Sequence, residues 1–243
     1  MLKLDKDYSY YKYEVLGNYL YNENLKHKIE LDTLDISKSI NVIGNSKFIC
    51  KSRVYTDEDD NGNEILGYDN NDMANEIINS LEITRLLGSS FCKHYGYFTM
   101  DDVVYSIMEN IEGIPLSIIN NEGYISERDF GILILQILIE LMTSYNSFGF
   151  IHGDLHQGNI VVITLDTPIF VKFEESIFLS NYRPVFIDFD GSTFEYYNWH
   201  SDIVKLNRAN ISYKELHKAL STVKSHKDYE SFIRYVVDVI NEI

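Results

Sequence analysis

Two short segments hold residue types suited to phosphate chemistry at fixed spacing. In Ile151-His152-Gly153-Asp154-Leu155-His156-Gln157-Gly158-Asn159, an aspartate and an asparagine stand 159 − 154 = 5 positions apart. In Val185-Phe186-Ile187-Asp188-Phe189-Asp190-Gly191, a second aspartate ends an apolar run, 188 − 159 = 29 residues further on. Asp154 can accept a proton from a hydroxyl. Asn159 offers a neutral amide oxygen and Asp188 a carboxylate, and both suit Mg²⁺, a hard ion that takes oxygen ligands. Moving a phosphoryl group needs little covalent help. It needs an acceptor hydroxyl held in line and charge neutralised on the phosphates. His152 is expected to brace the loop beside Asp188. One turn aspartate would say little, but two such segments in order, each behind a short apolar run, are not the pattern of unrelated loops.

Such residues must be held by regular elements. Ile40–Val54 reads as strand, tight turn and strand, with Gly44-Asn45 at the turn and Lys51 on the second strand. Met73–Leu87 has helical spacing, with apolar residues at Met73, Ile77, Ile78, Leu81, Leu86 and Leu87, and Gly88 ends it. Tyr95–Phe98 and Val103–Met108 are short strand-like runs, and Gly113 and Pro115 mark a turn. Ser126 is the expected N-cap of a long helix reaching about Tyr145, with Glu127 and Asp129 in its first turn and Gly149 breaking it. Residues 211–243 read as two amphipathic helices divided near Ser225. Residues 1–30 show no clean period, and Asp57–Asp72 reads as an acidic loop. Strands dominate the first part and helices the second. The fold class is therefore α+β, one domain of two packed lobes, 1–109 and 110–243.

The two polar segments resemble the catalytic loop and metal-binding aspartate of the protein-kinase-like superfamily. That resemblance implies Asp154 as base, Asn159 and Asp188 as Mg²⁺ ligands, and ATP as donor. Phe48-Ile49-Cys50-Lys51 resembles the family's VAIK, so Lys51 would anchor the α- and β-phosphates. Glu76, 76 − 51 = 25 residues later on the following helix, would hold that lysine, with Glu82 as the competing candidate. Val104–Gly113 resembles the strand and hinge between kinase lobes, where adenine would bond backbone atoms near Glu109–Ile111. The helix Asn75–Gly88 and the loop with His156 are similar to haspin, an atypical Ser/Thr protein kinase. The long gap before Asp188, DFD in place of DFG, and Asp202-Ile203-Val204-Lys205-Leu206 without a preceding APE are similar too. The resemblance covers roughly residues 40–207. It implies a bilobal fold with a small β-rich N-lobe and a shortened, mainly α C-lobe, and phosphorylation of a protein Ser or Thr. Three features depart from the pattern. No glycine occurs in 31–39, where the glycine-rich loop belongs; HGD replaces HRD; and the C-terminal lobe is very short. HGDLHxGN with IDFD is also the pattern of aminoglycoside and choline kinase-like phosphotransferases, so a small-molecule acceptor stands as an alternative. A pseudokinase scaffold is a third reading.

Composition narrows the partners. The 243 residues hold 37 acids against 21 bases, a formal charge of −16. That excludes nucleic acid as the main partner and suits a basic protein substrate. Cys50 and Cys92 form no CxxC and no zinc spacing, which points to a reducing compartment. Cys50 is expected to pack away from the nucleotide, because adjacent strand residues face opposite ways. Residues 1–17 lack the apolar core of a signal peptide, and the apolar run Phe130–Met142 is too short to span a bilayer. The expectation is a soluble intracellular monomer, cytoplasmic or nuclear (in the host cell if the chain is viral), with no membrane partner. Asp57, Asp59, Asn61 and Gly62 match the first half of a Ca²⁺ loop. Tyr68 stands where its bidentate glutamate belongs, so the segment reads as a solvated loop. Tyr8–Tyr13 reads as a packing edge.

Overall fold

In the computed structural model the described residues are 8–31, 34, 38–58, 64–196, 198–208 and 211–243, with backbone only at 8, 54–58, 64–68 and 70–72. Most of the segment 31–39 lies outside them, as do Asp59, Asn61 and Gly62 of the calcium-like loop. The chain divides into two compact units, residues 1–86 with 92–110, and residues 87–91 with 111–243.

In the first unit, β1 (Glu14–Leu16), β2 (Tyr19–Asn22) and β3 (His27–Glu30) form an antiparallel sheet in that order. Leu20 lies opposite Ile29, and both are buried. Asn22 is buried as well, because its amide donates to the carbonyls of Tyr10 and Lys12. β4 (Ile40–Ile43) and β5 (Phe48–Lys51) make the expected hairpin. Gly44, Asn45 and Ser46 take φ of 61, 55 and 65°, the left-handed region that a reversal so tight requires. β6 (Val54–Glu58) pairs with β7 (Glu64–Tyr68), and α1 (Asn70–Leu86) follows. The stretch expected to be one acidic loop is thus mostly strand and helix. A ladder bonds backbone to backbone and tolerates acidic side chains.

β8 (His94–Met100) and β9 (Val103–Glu109) complete a second sheet of order β4-β5-β9-β8. Alternation on β9 explains how this sheet is covered. Tyr105 and Ile107 point into a core with Tyr13, Leu20, Ile29, Ile43, Cys50 and Phe98. Val104 points the other way, onto Met73, Ile77 and Leu81 of α1. Cys50 accordingly packs in the core.

The second unit starts with β10 (Ile114–Pro115), α2 (Leu116–Glu122) and α3 (Glu127–Phe148). Ser126 caps α3 by accepting from Asp129 N–H, and Gly149 ends it at φ 70°. Phe130–Met142 is only its middle. Polar residues extend the helix at both ends to 22 residues, long and apolar enough to cross a bilayer, and most of it is buried inside the unit. β11 (Phe150–Ile151) leads into the polar loop. β12 (Ile160–Phe173) and β13 (Ser176–Phe186) then form a long antiparallel hairpin, bulged between Thr164 and Ile169. Val171, Phe173 and Phe178 are buried, whereas Phe170, Ile177 and Leu179 on the alternate face are exposed. β14 (Thr193–Phe194) pairs with β11, and α4 (Ser201–Asn207), α5 (Lys214–Ser221) and α6 (Tyr229–Glu242) complete the unit. Asp228 and Ser231 cap α6 reciprocally.

Candidate functional site

The hairpin β12–β13 accounts for the 29-residue gap between Asn159 and Asp188. Asn159 immediately precedes β12, and Asp188 follows β13 by two positions. Ile160 pairs with Phe186, and the carbonyl of Asn159 accepts Ile187 N–H at 3.0 Å. The two sequence segments therefore meet at the base of the hairpin. The Asn159 side chain is buried, and its Nδ2 donates to the carbonyl of Asp154 at 3.0 Å. That bond turns Oδ1 away from Asp154, as a metal ligand at this position needs. Asp188 holds φ 64°, a conformation that costs a non-glycine residue energy and that clusters at functional sites. The Asp154 side chain is about half exposed, open to an incoming hydroxyl. Two oxygen donors fit Mg²⁺, which normally keeps waters and phosphate oxygens for the rest of its shell. Among the described residues no group of three or more His, Cys, Asp or Glu could hold a metal on its own.

The turn that carries Asp154 is held from several sides. His152 is fully buried, and its Nε2 donates to the carbonyl of Ile187 at 3.0 Å, directly before Asp188. Its Nδ1 is buried without a hydrogen-bond partner, and burial pushes the imidazole pKa down. A neutral ring with the proton on Nε2 meets both conditions. Asp202 of α4 accepts the N–H of His152 at 2.7 Å and that of Gly153 at 3.0 Å. Burial pushes the Asp202 carboxyl up, opposed by His152, these two donors and Lys205. Lys205 Nζ also donates to the carbonyl of Gly153, and Ser192 Oγ donates to that of His152. Gly153 sits at φ 79°, and a Cβ there would stand 1.8 Å from the carbonyl oxygen of Gly191. The HGD spelling is thus a packing requirement of this turn, since no arginine could occupy it.

His156 has a defined tautomer. Its Nδ1 accepts Gly158 N–H at 3.0 Å, so the proton of the neutral ring lies on Nε2, which faces Asp154 Oδ2 at 3.9 Å. A Cβ at Gly158 would press on this ring at 2.9 Å.

The first unit brings together the other expected pair. Lys51 Nζ lies 2.8 Å from Glu76 Oε1, and Glu76 is buried. Glu82, the competing candidate, pairs with Arg85 on the same helix at 2.5 Å. Arg53 was not anticipated: its Nη2 lies 3.5 Å from Glu76 Oε2. The Lys51-Ser52-Arg53 spacing of two held that signal, because it places both cations on one side of an extended chain. Near Lys51, His94 is fully buried and hydrogen-bonded to Ser106 at 3.2 Å. Burial first, and Lys51 second, push its pKa down to about 3. At the expected adenine segment, the N–H groups of Glu109 and Asn110 already bond the carbonyls of Lys93 and Lys47. The carbonyl of Glu109 is touched by the Cys92 thiol at 3.7 Å.

No known protein-family model matches the chain. Over 156 residues, 62% of its length, the chain is 28% identical to "Probable kinase 098L" of Invertebrate iridescent virus 3. The match covers 28% of that longer protein. The chain is thus distantly similar to a protein named as a probable kinase, and its own structure is a mixed α and β fold with several sheets.

Proposed function

We propose that the chain is an ATP- and Mg²⁺-dependent phosphotransferase with a bilobal kinase-like fold, acting on a Ser or Thr hydroxyl of a basic protein in the manner of haspin-like kinases. One observation carries the reading: the Asp154 loop and Asp188, 188 − 154 = 34 residues apart, are bonded into one rigid turn through Asn159, His152 and Ile187. Bound Mg-ATP would supply the phosphoryl group and the positive charge that screens it. Asp154 would take the proton of the acceptor hydroxyl as that oxygen bonds the γ-phosphorus and the bond from phosphorus to the β–γ bridging oxygen breaks, with ADP leaving. Asn159 Oδ1 and the Asp188 carboxylate would hold the metal. Lys51, paired with Glu76, would bind the α- and β-phosphates, and backbone atoms near Glu109–Ile111 would receive adenine. His152 and Asp202 bear no charge to substrate and act by positioning. The net charge of −16 favours a basic acceptor surface.

One observation favours the second reading, a small-molecule acceptor. The turn demands glycine at 153, which is the spelling of the aminoglycoside and choline kinase-like pattern. Incubation with γ-labelled ATP separates the two. A basic peptide library and a panel of amino alcohols and aminoglycosides serve as acceptors. Label on Ser- or Thr-containing basic peptides is the expected result, and label on the small molecules alone would replace the protein-kinase reading. No transfer to any acceptor, with no Mg-ATP-dependent thermal shift, would favour the scaffold.

A further inference from the structure

The hairpin that joins Asn159 to Asp188 also walls a second concave site. A cavity of about 460 Å³ lies between α3 and β12–β13, with Gln136, Ile139, Phe170, Lys172, Arg183 and Pro184 among its lining residues. That volume falls in the range of small-molecule sites, roughly 300–1,000 Å³. Its walls combine apolar surface with unmatched positive charge. Phe170 is 75% exposed at the rim, and its cross-strand partner Leu179 is 58% exposed. Arg183 Nε is buried and finds no hydrogen-bond acceptor on the protein. Among the described residues neither Arg183 nor Lys172 forms an ion pair, although Glu140 lines the same cavity. A desolvated donor left without an acceptor is unfavourable, so buried donors are nearly always matched. A chain with 37 acids and 21 bases that keeps a half-buried guanidinium with an unmatched Nε–H in a hollow is placing an anchor for an anion.

We propose that this cavity binds a monoanion carried on an aromatic or branched apolar body. Arg183 grips the anion, Lys172 flanks it and the Ile139, Phe170 and Pro184 surface receives the body. Glu140 sets a repulsive cost that grows with ligand charge, which favours a carboxylate over a phosphate dianion. The site does not depend on the phosphotransferase reading. It touches that reading through the chain itself, because β13 runs from Arg183 to Phe186, whose N–H bonds the carbonyl of the cavity residue Ser90.

The test is titration of the full chain with naphthalene-2-carboxylate, 2-naphthyl phosphate, naphthalene-2-methanol and inorganic phosphate, read at the ¹⁵N-resolved Arg183 Nε–H resonance. Saturable shifts are expected with the carboxylate, at least about tenfold tighter than with the neutral alcohol, and Arg183→Gln should weaken binding by at least about tenfold. Because naphthyl phosphate can also enter a nucleotide site, occupancy is counted only from shifts of the Arg183 resonance in the wild type and, in Arg183→Gln, which lacks it, from the backbone amides of the lining residues Phe170 and Lys172. Should Arg183→Gln fail to fold, Lys172→Ala with the wild-type resonance decides in its place. Equal affinity for the alcohol, unaltered binding in the variant, or no shift would overturn the proposal. So would inorganic phosphate binding as tightly as the carboxylate, which means an adventitious ion only.

Discussion

His94 makes the first unit sensitive to acid in a way that can be measured. It is buried, its Nδ1 bonds Ser106, and its pKa falls from 6.5 to about 3 through burial and, second, Lys51. An unfolded histidine takes a proton near 6.5, so between 6.5 and 3 the unfolded chain binds more protons than the folded one. Stability from this group is therefore full above pH 6.5 and drains away as pH falls toward 3. The whole span is worth about 5 kcal/mol, and about 2 kcal/mol of it is lost by pH 5. Protonation would also place a second cation beside Lys51 and weaken its grip on Glu76. Urea unfolding at pH 7.5 and 5.0, followed by circular dichroism, compares the wild type with His94→Asn, whose amide retains the bond to Ser106 and cannot titrate. The loss on acidification should shrink by about 2 kcal/mol in the variant. What remains belongs partly to His152, also lowered by burial. An identical acid loss in both proteins, or a His94 resonance titrating near 6.5 in the folded chain, would refute the reasoning.

Three further outcomes follow from the geometry. Gly153→Ala drives a methyl into the Gly191 carbonyl at a positive φ, so it should lower Tm and abolish transfer together, as read by calorimetry and label incorporation. Glu76→Gln removes the buried carboxylate that Lys51 and Arg53 approach. It should raise the KM for ATP by about tenfold and destabilise by about 3 kcal/mol, measured by steady-state kinetics and urea unfolding. Burial pushes the Cys92 thiol up to about 12 and raises that of Cys50 still further. Iodoacetamide at pH 8 should leave both unmodified in the folded chain and label both in urea, as counted by intact mass.

The parts legible in the sequence were those whose chemistry is local. Short apolar strands followed by Asp154, Asn159 and Asp188 marked the loop, and helical phase brought Glu76 onto the buried side of α1 with Met73 and Ile77. Glu82 shares that helix, yet spends its charge on Arg85, a choice that composition alone left open. Long-range positioning was not legible. Asp202 looks like any acid in the first turn of a helix until its oxygens are found on the N–H groups of residues 50 and 49 positions earlier. The Gly153–Gly191 contact is likewise invisible without the fold. β1–β3 escaped notice because each strand is only three or four residues long, and on β2 the buried face pairs Leu20 with a buried asparagine, Asn22, which breaks the apolar alternation. β6 and β7 were hidden by acidic composition, which says nothing about a backbone ladder.

Asp154 is the residue on which the account turns. Asp154→Asn keeps the backbone carbonyl that Asn159 holds and removes the group that accepts the proton. With Mg-ATP and the best acceptor from the panel, kcat should fall by roughly 10²- to 10⁴-fold, while the Kd for ATP, measured by calorimetry, stays within about twofold of wild type. Undiminished kcat in this variant would contradict the assignment of Asp154 as the base.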